Sequence, residues 1–318
     1  MREFNLVNVS SVEEVKNELL NNSGKVKIMS GGTDLLGGIK REIYEDYPET
    51  IINIGDLEEL KYIKEEEGLL KIGSATKLEK VAESELIKEY YSALAIAAKK
   101  TASPHLRAMG SIGGNICQDI RCWFYRAADN YYHCKMKGGK KCFAPMSDNR
   151  YHSIFGGCNG CMGVNPSDTA PAIIALRGKV LTSKRTIEAN DFFDMSLTGS
   201  TVLEDDEILL EIQIPRPKNG AKSTYKKFAN RPTIEFPIVG CATLVEEGRV
   251  SICLNAVAPN PYKLTVVEEF LNGKTLTYEN IEKASSLAVE KAKPLKDNKY
   301  KIQVAKTLIK RSITECKL

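Results

Sequence analysis

The chain has 318 residues, 42% of them hydrophobic and 27% charged, and a formal net charge of +4. This length is enough for two or three compact units, and the even mixture of charge signs excludes the basic stripe of a nucleic-acid-binding protein. The N-terminal residues lack an apolar signal core, and no run reaches the roughly 18 to 20 apolar residues that span a membrane. We therefore expect a cytoplasmic protein that binds neither nucleic acid nor a membrane, and whose nine cysteines do not form a disulfide framework.

The first unit, residues 1–56, follows a β-α-β pattern. Ser10 or Ser11 is suited to cap a helix that continues through Leu20, with apolar residues at 12, 15, 19 and 20 on its buried side. Short apolar stretches predict strands at 26–29 and 51–54. The first of these strands runs directly into a glycine-rich segment.

A second unit, residues 57–182, combines strand and helix patterns with a long polar segment rich in cysteine, at about 117–162. Its predicted strands lie at 69–73 and 179–182, its predicted helices at 78–82 and 91–101, and an apolar pattern resumes at 167–176.

The third unit, residues 183–318, follows a proline-rich bend near residue 215. Its predicted strands lie at 224–228, 238–244 and 250–257, and its predicted helices at 264–271, 278–292 and 302–312. Mixed strands first and helices last predict an α+β fold.

Two glycine-rich segments are candidates for a nucleotide site, namely Ser30 to Gly38 and Gly110 to Asn115. Consecutive glycines leave backbone N–H groups unobstructed, so each segment can hold a pyrophosphate without a cationic side chain. Neither segment is a Rossmann fingerprint or a P-loop. A tight turn is the alternative explanation for Gly31 and Gly32. Two such segments in one chain fit a dinucleotide held along two walls.

Six of the nine cysteines lie close together in the sequence: Cys117, Cys122, Cys134, Cys142, Cys158 and Cys161. The spacing Cys122-x11-Cys134-x7-Cys142-x18-Cys161 suits a [4Fe–4S] cluster, which accepts varied loop lengths. Zinc is the alternative, with His133 and His152 as nitrogen donors, but only Cys158 and Cys161 have the close spacing of a zinc knuckle. The remaining cysteines fall in apolar or helical patterns and are expected to be inert: Cys241, Cys253 and Cys316.

Three segments are similar to the flavin loops of the FAD-binding subunits of molybdenum hydroxylases, the xanthine dehydrogenase and carbon monoxide dehydrogenase group. These segments are Ser30 to Leu36, Ser103 to Asn115 and Ser167 to Ala172. The similarity continues through Ile208 to Leu210, Lys227 to Arg231 and the closing helix, so it covers essentially the whole chain. It implies a two-subdomain FAD-binding fold of the vanillyl-alcohol-oxidase type and a C-terminal α+β domain of the carbon monoxide dehydrogenase flavoprotein type.

The resemblance also implies which residues bind the flavin, in the pyrophosphate loop, beside the ring and at a cofactor hydroxyl. These residues are Lys27, Ile28, Met29, Ser30, Gly31, Gly32, Thr33, Asp34, Thr101, Ser111, Gly113, Gly114, Asn115, Asp168, Leu209, Leu210 and Lys227. For Lys227 the alternative is a solvated strand residue, because most lysines are exposed. No catalytic residue is assigned.

Most members of this family lack a cysteine insertion, but the flavin subunit of 4-hydroxybenzoyl-CoA reductase has one that holds a [4Fe–4S] cluster. The cysteine segment resembles that insertion, which implies that the chain is closest to that subunit. The resemblance implies that the cluster ligands are Cys122, Cys134, Cys142 and Cys161. Cys158 is the competitor for the last place.

The implied function is electron transfer in an FAD-dependent oxidoreductase complex. FAD and the cluster would pass electrons to or from a [2Fe–2S] small subunit and a molybdopterin large subunit, with NAD(P)H or ferredoxin as external redox partner. Two alternatives remain open, a flavin-free structural or interaction subunit with a zinc loop and a free-standing FAD oxidoreductase. Because the cluster and flavin loops are expected to be separate, we expect the loss of one thiol to remove iron but not FAD.

Overall fold

The first of three β-sheets lies at the N-terminus of the computed structural model, which describes residues 1–22, 24–195 and 199–317. Its three parallel strands have the order β1-β3-β2. The Ser11 side chain caps α1 by accepting a hydrogen bond of 3.2 Å from the Glu14 backbone N–H, as predicted. Leu20 is 63% exposed, which contradicts its predicted burial. The elements of this unit are β1 (Asn5–Asn8), α1 (Val12–Asn21), β2 (Val26–Met29), α2 (Leu35–Lys40) and β3 (Thr50–Asn53).

The second sheet is antiparallel and has the order β4-β5-β8-β6-β7. Its central strand, β8, follows the other four strands of the sheet in the chain, so the predicted boundary at residue 182 falls within this sheet. Short helices cover the sheet and share one apolar core with it. The elements are β4 (Ile63–Glu66), β5 (Leu69–Gly73), α3 (Leu78–Glu83), α4 (Glu85–Tyr90), α5 (Ser92–Lys100), α6 (Pro104–Met109), α7 (Ile112–Ile116), α8 (Thr169–Ala175), β6 (Lys179–Thr182), β7 (Thr186–Glu188) and β8 (Leu209–Pro215).

The third sheet is antiparallel with the order β12-β11-β10-β9, and helices pack against it around a second apolar core. The predicted helix at 278–292 ends at Leu287, whereas the last helix is longer than predicted. The elements are β9 (Lys222–Phe228), β10 (Val239–Glu246), β11 (Arg249–Asn255), β12 (Tyr262–Lys263), α9 (Thr265–Leu271), α10 (Tyr278–Leu287) and α11 (Tyr300–Lys317). No helix in the described parts of the chain combines the length and apolar character needed to cross a bilayer.

The cysteine segment, residues 117–162, has little regular structure beyond three short 3-10 turns. Two polar side chains, Asn298 just before α11 and Lys301 in its first turn, bind the later part of the cysteine segment. The buried Lys301 Nζ donates to the carbonyl oxygens of Tyr151, His152 and Ala256, at 3.1, 3.0 and 2.5 Å. Asn298 Nδ2 donates to the carbonyls of His152 and Ser153, each at 3.0 Å. These bonds satisfy backbone groups that a loop buried against the C-terminal unit would otherwise leave unpaired.

We predict that Lys301→Met lowers the free energy of unfolding by about 2 to 3 kcal/mol, because the carbonyls of Tyr151 and Ala256 lose their side-chain donor and the His152 carbonyl keeps only Asn298. Chemical denaturation of the purified chain measures this change. Lys299→Met is the matched control, since Lys299 is exposed and its replacement should change stability by less than about 0.5 kcal/mol. Equal effects of the two substitutions would contradict the structural role given to Lys301.

Candidate functional site

A cavity of about 260 Å³ lies between the first glycine segment, helices α6 and α7, and the start of the cysteine segment. Most of the cofactor-binding residues predicted from the sequence line it. They are Lys27, Ile28, Met29, Ser30, Gly31, Gly32, Thr33, Asp34, Thr101, Ser111, Gly114, Asn115 and Asp168. Segments far apart in the sequence therefore form the walls of one cavity.

A second cavity of about 130 Å³ shares Ser30, Ser111 and Gly114 with the first. Gly113 and Leu209 line this second cavity, whereas Leu210 and Lys227 line neither. The hydroxyls of Ser30 and Ser74, which face these cavities, are buried without a hydrogen-bond partner. Unpaired buried hydroxyls are costly, so both are available to a polar ligand.

The first glycine segment passes very close to the second, and this requires glycine at two positions. A Cβ on Gly31 would lie 2.0 Å from the Met109 carbonyl oxygen. Gly32 has a φ of +68°, a left-handed conformation that other residues adopt at a cost. The glycines therefore do more than make a tight turn, because they allow the two segments to form opposite sides of the cavity.

The second and third segments are joined through Asn115. Its Oδ1 accepts hydrogen bonds from the hydroxyls of Ser167 and Thr169, each at 2.6 Å. Ser111 caps α7 by accepting from the Gly114 N–H at 3.1 Å. The positions of these polar residues in the cavity wall are thus fixed by the Ser111 cap and by the hydrogen bonds to the Asn115 side chain.

Asp168 and Lys227 form a buried ion pair beside the cavity, with 2.8 Å between Nζ and Oδ2. The Tyr225 hydroxyl donates to the other carboxylate oxygen at 2.5 Å, and Lys227 also donates to the Lys100 carbonyl at 3.0 Å. Burial raises the pKa of Asp168, and the Lys227 ammonium opposes that shift. The Lys227 side chain is only 5% exposed, so it is not a solvated strand residue. It contacts Asp168 and does not reach the cavity surface.

The carboxylate of Asp34 connects the first glycine segment to the cysteine segment. Arg126 binds both of its oxygens, at 2.8 and 3.0 Å, and Arg121 binds Oδ1 at 2.8 Å. The Asp119 backbone N–H donates to Oδ2 at 3.2 Å. Burial alone would raise the pKa of Asp34, but the two guanidinium groups hold it below its usual range. The two segments are therefore in direct contact, and the expectation that they are separate was wrong.

The thiols of the cysteine segment converge on one small apolar cluster. Cys134 and Cys161 are buried in it with Ile43 and Met195, and Cys122 and Cys158 pack against it. Cys142 is also near, because it contributes to the raised pKa values of Cys122, Cys134 and Cys161. Among the described residues, no three His, Cys, Asp or Glu side chains are close enough to hold one metal ion.

Cys117 lies apart from this group and lines both cavities. The three cysteines of the C-terminal unit, predicted to be inert, are all buried: Cys241, Cys253 and Cys316.

Two polar groups lie beside these thiols: Lys137, which the sequence analysis did not name, and His152, which it named as a nitrogen donor in the zinc alternative. The Lys137 ammonium is buried without a hydrogen-bond partner, and its pKa is lowered by burial while the thiols of Cys134 and Cys122 oppose that shift. His152 Nε2 lies 3.3 Å from Cys122 Sγ. The only hint in the sequence that Lys137 lies near the thiols is its position three residues after Cys134.

We predict that Asp34→Asn lowers the free energy of unfolding at neutral pH by about 3 kcal/mol, because it leaves two partly buried guanidinium groups without their carboxylate. In the wild type the ionised carboxylate stabilises the fold above about pH 4, and this contribution is lost as the pH falls through its depressed pKa. Denaturation at several pH values measures both effects. Asp56→Asn is the control, because Asp56 is exposed and forms no ion pair within the described ranges; a penalty as large as that of Asp34→Asn would contradict the prediction.

Comparison with protein-family models identifies both parts of the chain. The FAD binding domain in molybdopterin dehydrogenase matches residues 2–217, and the CO dehydrogenase flavoprotein C-terminal domain matches residues 223–316. The border between the two matches follows β8, the last strand of the second sheet.

Relatives and solved structures agree with these matches along the whole chain. The chain is 27% identical over 303 residues to the aldehyde oxidoreductase FAD-binding subunit PaoB of Escherichia coli (strain K12), covering 92% of this chain and 91% of that one. It is 27% identical over 296 residues to the carbon monoxide dehydrogenase medium chain of Hydrogenophaga pseudoflava, covering 90% and 88%. The structure of carbon monoxide dehydrogenase from that organism superposes with a TM-score of 0.78 at 25% identity, covering 99% of this chain and 97% of that one. The chain therefore belongs to the family of FAD-binding, or medium, subunits of molybdenum hydroxylases.

Proposed function

We propose that this chain is the subunit through which a molybdenum hydroxylase-type oxidoreductase complex exchanges electrons by way of FAD. The family match supports FAD, and the cavity between the glycine segments is the observation that carries the proposal. Its walls offer backbone N–H groups, unpartnered hydroxyls and a close approach of two loops, all of which fit a dinucleotide. The family match also argues against the flavin-free alternative.

Each part of the wall has a role in this proposal. The backbone from Ser30 to Asp34 would hold the diphosphate, with Ser111 and Asn115 on the opposite side. Asp168, fixed by Lys227 and Tyr225, would accept a hydrogen bond from a cofactor hydroxyl. Leu209 would cover the flavin from the second cavity, while Leu210 and Lys227 would support the pocket from behind. When bound, FAD supplies two-electron chemistry and can pass electrons on singly.

We further propose that the cysteine segment binds a [4Fe–4S] cluster through Cys122, Cys134, Cys142 and Cys161. The buried Lys137 ammonium supports this, because a buried cation without a hydrogen-bond partner is costly and a thiolate-bound cluster is anionic. In a cubane cluster each cysteine binds a different iron, whereas a zinc site needs all its ligands about 2.1 to 2.3 Å from one ion. Cys122, Cys134 and Cys161 belong to one cluster of side chains, with Cys142 near them, an arrangement that fits four thiols on separate irons.

Cys161 and Cys158, the two candidates for the fourth cluster ligand, lie next to each other. They form a backbone bridge, with N–H to O distances of 3.1 and 2.8 Å. Cys161 is 4% exposed and accepts a hydrogen bond of 3.4 Å from the Gly163 N–H to its sulfur. Cys158 instead points its thiol toward the Met195 carbonyl at 3.6 Å. Cluster thiolates commonly accept backbone N–H groups, so we favour Cys161.

The cysteine-rich segment between the second and third flavin loops, with six cysteines, supports a function like that of the flavin subunit of 4-hydroxybenzoyl-CoA reductase. The partners would then be a [2Fe–2S] small subunit and a molybdopterin large subunit, with NAD(P)H or ferredoxin as the external redox partner, in the cytoplasm. The name of the relative from Hydrogenophaga pseudoflava, a medium chain, supports a heteromeric complex. Copurification of the native chain tests this directly: a free-standing flavoprotein would elute alone.

We predict that Gly31→Ala reduces FAD binding at least tenfold, because the new Cβ would collide with the Met109 carbonyl oxygen and push the two loops apart. Fluorescence titration of the FAD-stripped protein measures this. Gly37→Ala is the matched control. Gly37 belongs to the same glycine-rich segment, yet a Cβ there meets no atom within 4 Å, so FAD affinity should stay within about twofold. If both variants bind FAD like the wild type, the cavity between these loops is not the flavin site.

We predict that Cys122→Ser, Cys134→Ser, Cys142→Ser and Cys161→Ser each lose iron and acid-labile sulfide in anaerobically purified protein. Cys117→Ser should keep both, since Cys117 lies at the flavin cavity, and Cys158→Ser should keep both if Cys161 is the ligand. Full iron content in a variant removes that residue from the ligand set. A wild-type protein that contains zinc and no iron would overturn the cluster.

A further inference from the structure

Arg121 occupies an unusual place for a residue of the cysteine segment, because it lines the flavin cavity. Its Nη2 donates to Asp34 Oδ1 at 2.8 Å. Its guanidinium lies 4.1 Å from the centre of the Phe236 ring, on the loop between β9 and β10. Nη2 also donates to Gln118 Oε1 at 3.4 Å, so a carboxylate, an amide oxygen and an aromatic face fix this cation between the N-terminal unit and the C-terminal unit.

One N–H of this guanidinium has nothing to bind. The Nε atom is buried and has no hydrogen-bond partner. A buried charged donor left unpaired is among the more expensive defects in a protein, and arginine binds phosphate groups especially well. Because the Arg121 side chain lines the cavity and its guanidinium is incompletely paired, it favours a ligand atom there that carries negative charge.

The charges around Arg121 indicate which part of the cofactor would lie beside it. Arg121 is bonded to Asp34, the last residue of the loop that would hold the diphosphate. The nearby Asp119 carboxylate accepts from the hydroxyls of Tyr44 and Tyr125, at 3.1 and 3.3 Å. Lys27 also lines the cavity and has no carboxylate partner within the described ranges. The wall beside the glycine loop therefore carries two cations, Lys27 and Arg121, beside the carboxylates of Asp34 and Asp119, which are already bonded.

Arg126 shows by contrast what a purely structural arginine looks like here. It binds both oxygens of Asp34 and also donates to the carbonyls of Ile120 and Asp119, at 3.0 and 2.9 Å. It does not line the cavity. The two arginines share a carboxylate, but of the two Arg121 alone lines the cavity and keeps an unpaired Nε–H.

We infer that Arg121 is a ligand of the FAD diphosphate that is supplied by the cysteine segment. The inference rests on the proposed flavin site and adds a residue to it that the three glycine and polar segments do not include. The loop that carries the thiols thereby forms part of the cofactor pocket.

The test measures ligand dissociation constants for the full chain stripped of flavin. Fluorescence titration gives Kd for FAD, and competition gives Kd for riboflavin, which lacks the diphosphate, and for ADP, which lacks the ring. Arg121→Gln should raise Kd for FAD and for ADP by about 10- to 100-fold, as expected for a lost charge-assisted hydrogen bond. Kd for riboflavin should change less than about twofold. Arg121→Lys should recover part of the affinity for FAD.

Arg126→Gln is the matched control. It removes bonds to the same carboxylate, so it should lower the thermal midpoint but leave the ratio of the riboflavin and FAD dissociation constants near the wild-type value. The inference fails if Arg121→Gln leaves Kd for FAD unchanged, or if it weakens riboflavin and FAD equally. Failure of the wild-type chain to bind FAD at all would instead remove the proposed flavin site.

Discussion

The ion pairs of Asp34 with Arg121 and Arg126 are the interaction on which the rest of the site depends. Partly buried charges are tolerated only when they are paired and hydrogen-bonded, and here one carboxylate accepts four N–H groups. These bonds hold the end of the glycine loop against the residues on either side of Cys122. The shape of the cavity and the start of the cysteine segment are therefore set by the same contact.

Local structure was largely predictable from the sequence. The strands at 26–29, 69–73 and 179–182 have the predicted limits, because short apolar runs between turn residues carry that information themselves. Limits that depend on distant contacts were missed. The helix predicted to reach residue 292 ends at Leu287, where the chain turns so that the Lys293 N–H can bind the Ile154 carbonyl at 2.7 Å.

In the candidate site, too, local features were predicted and distant contacts were not. The glycine-rich loops could be predicted, since glycine next to small polar residues has few other uses at the end of a strand. The pairings between side chains could not be predicted. Lys227 is typical of an exposed strand residue in its sequence, and only the fold brings Asp168 beside it. Arg121 and Arg126 gave no signal as partners of Asp34, which lies some 90 residues earlier in the chain.

The order of strands in the second sheet bears on how the protein is made. Neither β5 nor β6 pairs with the other, because β8 lies between them. Until residue 215 has been synthesised, β4 with β5 and β6 with β7 are two separate ribbons, and an isolated pair of strands is at best marginally stable in water. The thiols of the cysteine segment therefore leave the ribosome before the sheet behind them is complete, so a newly made chain presents them to metal and oxidant while its scaffold is still unfinished.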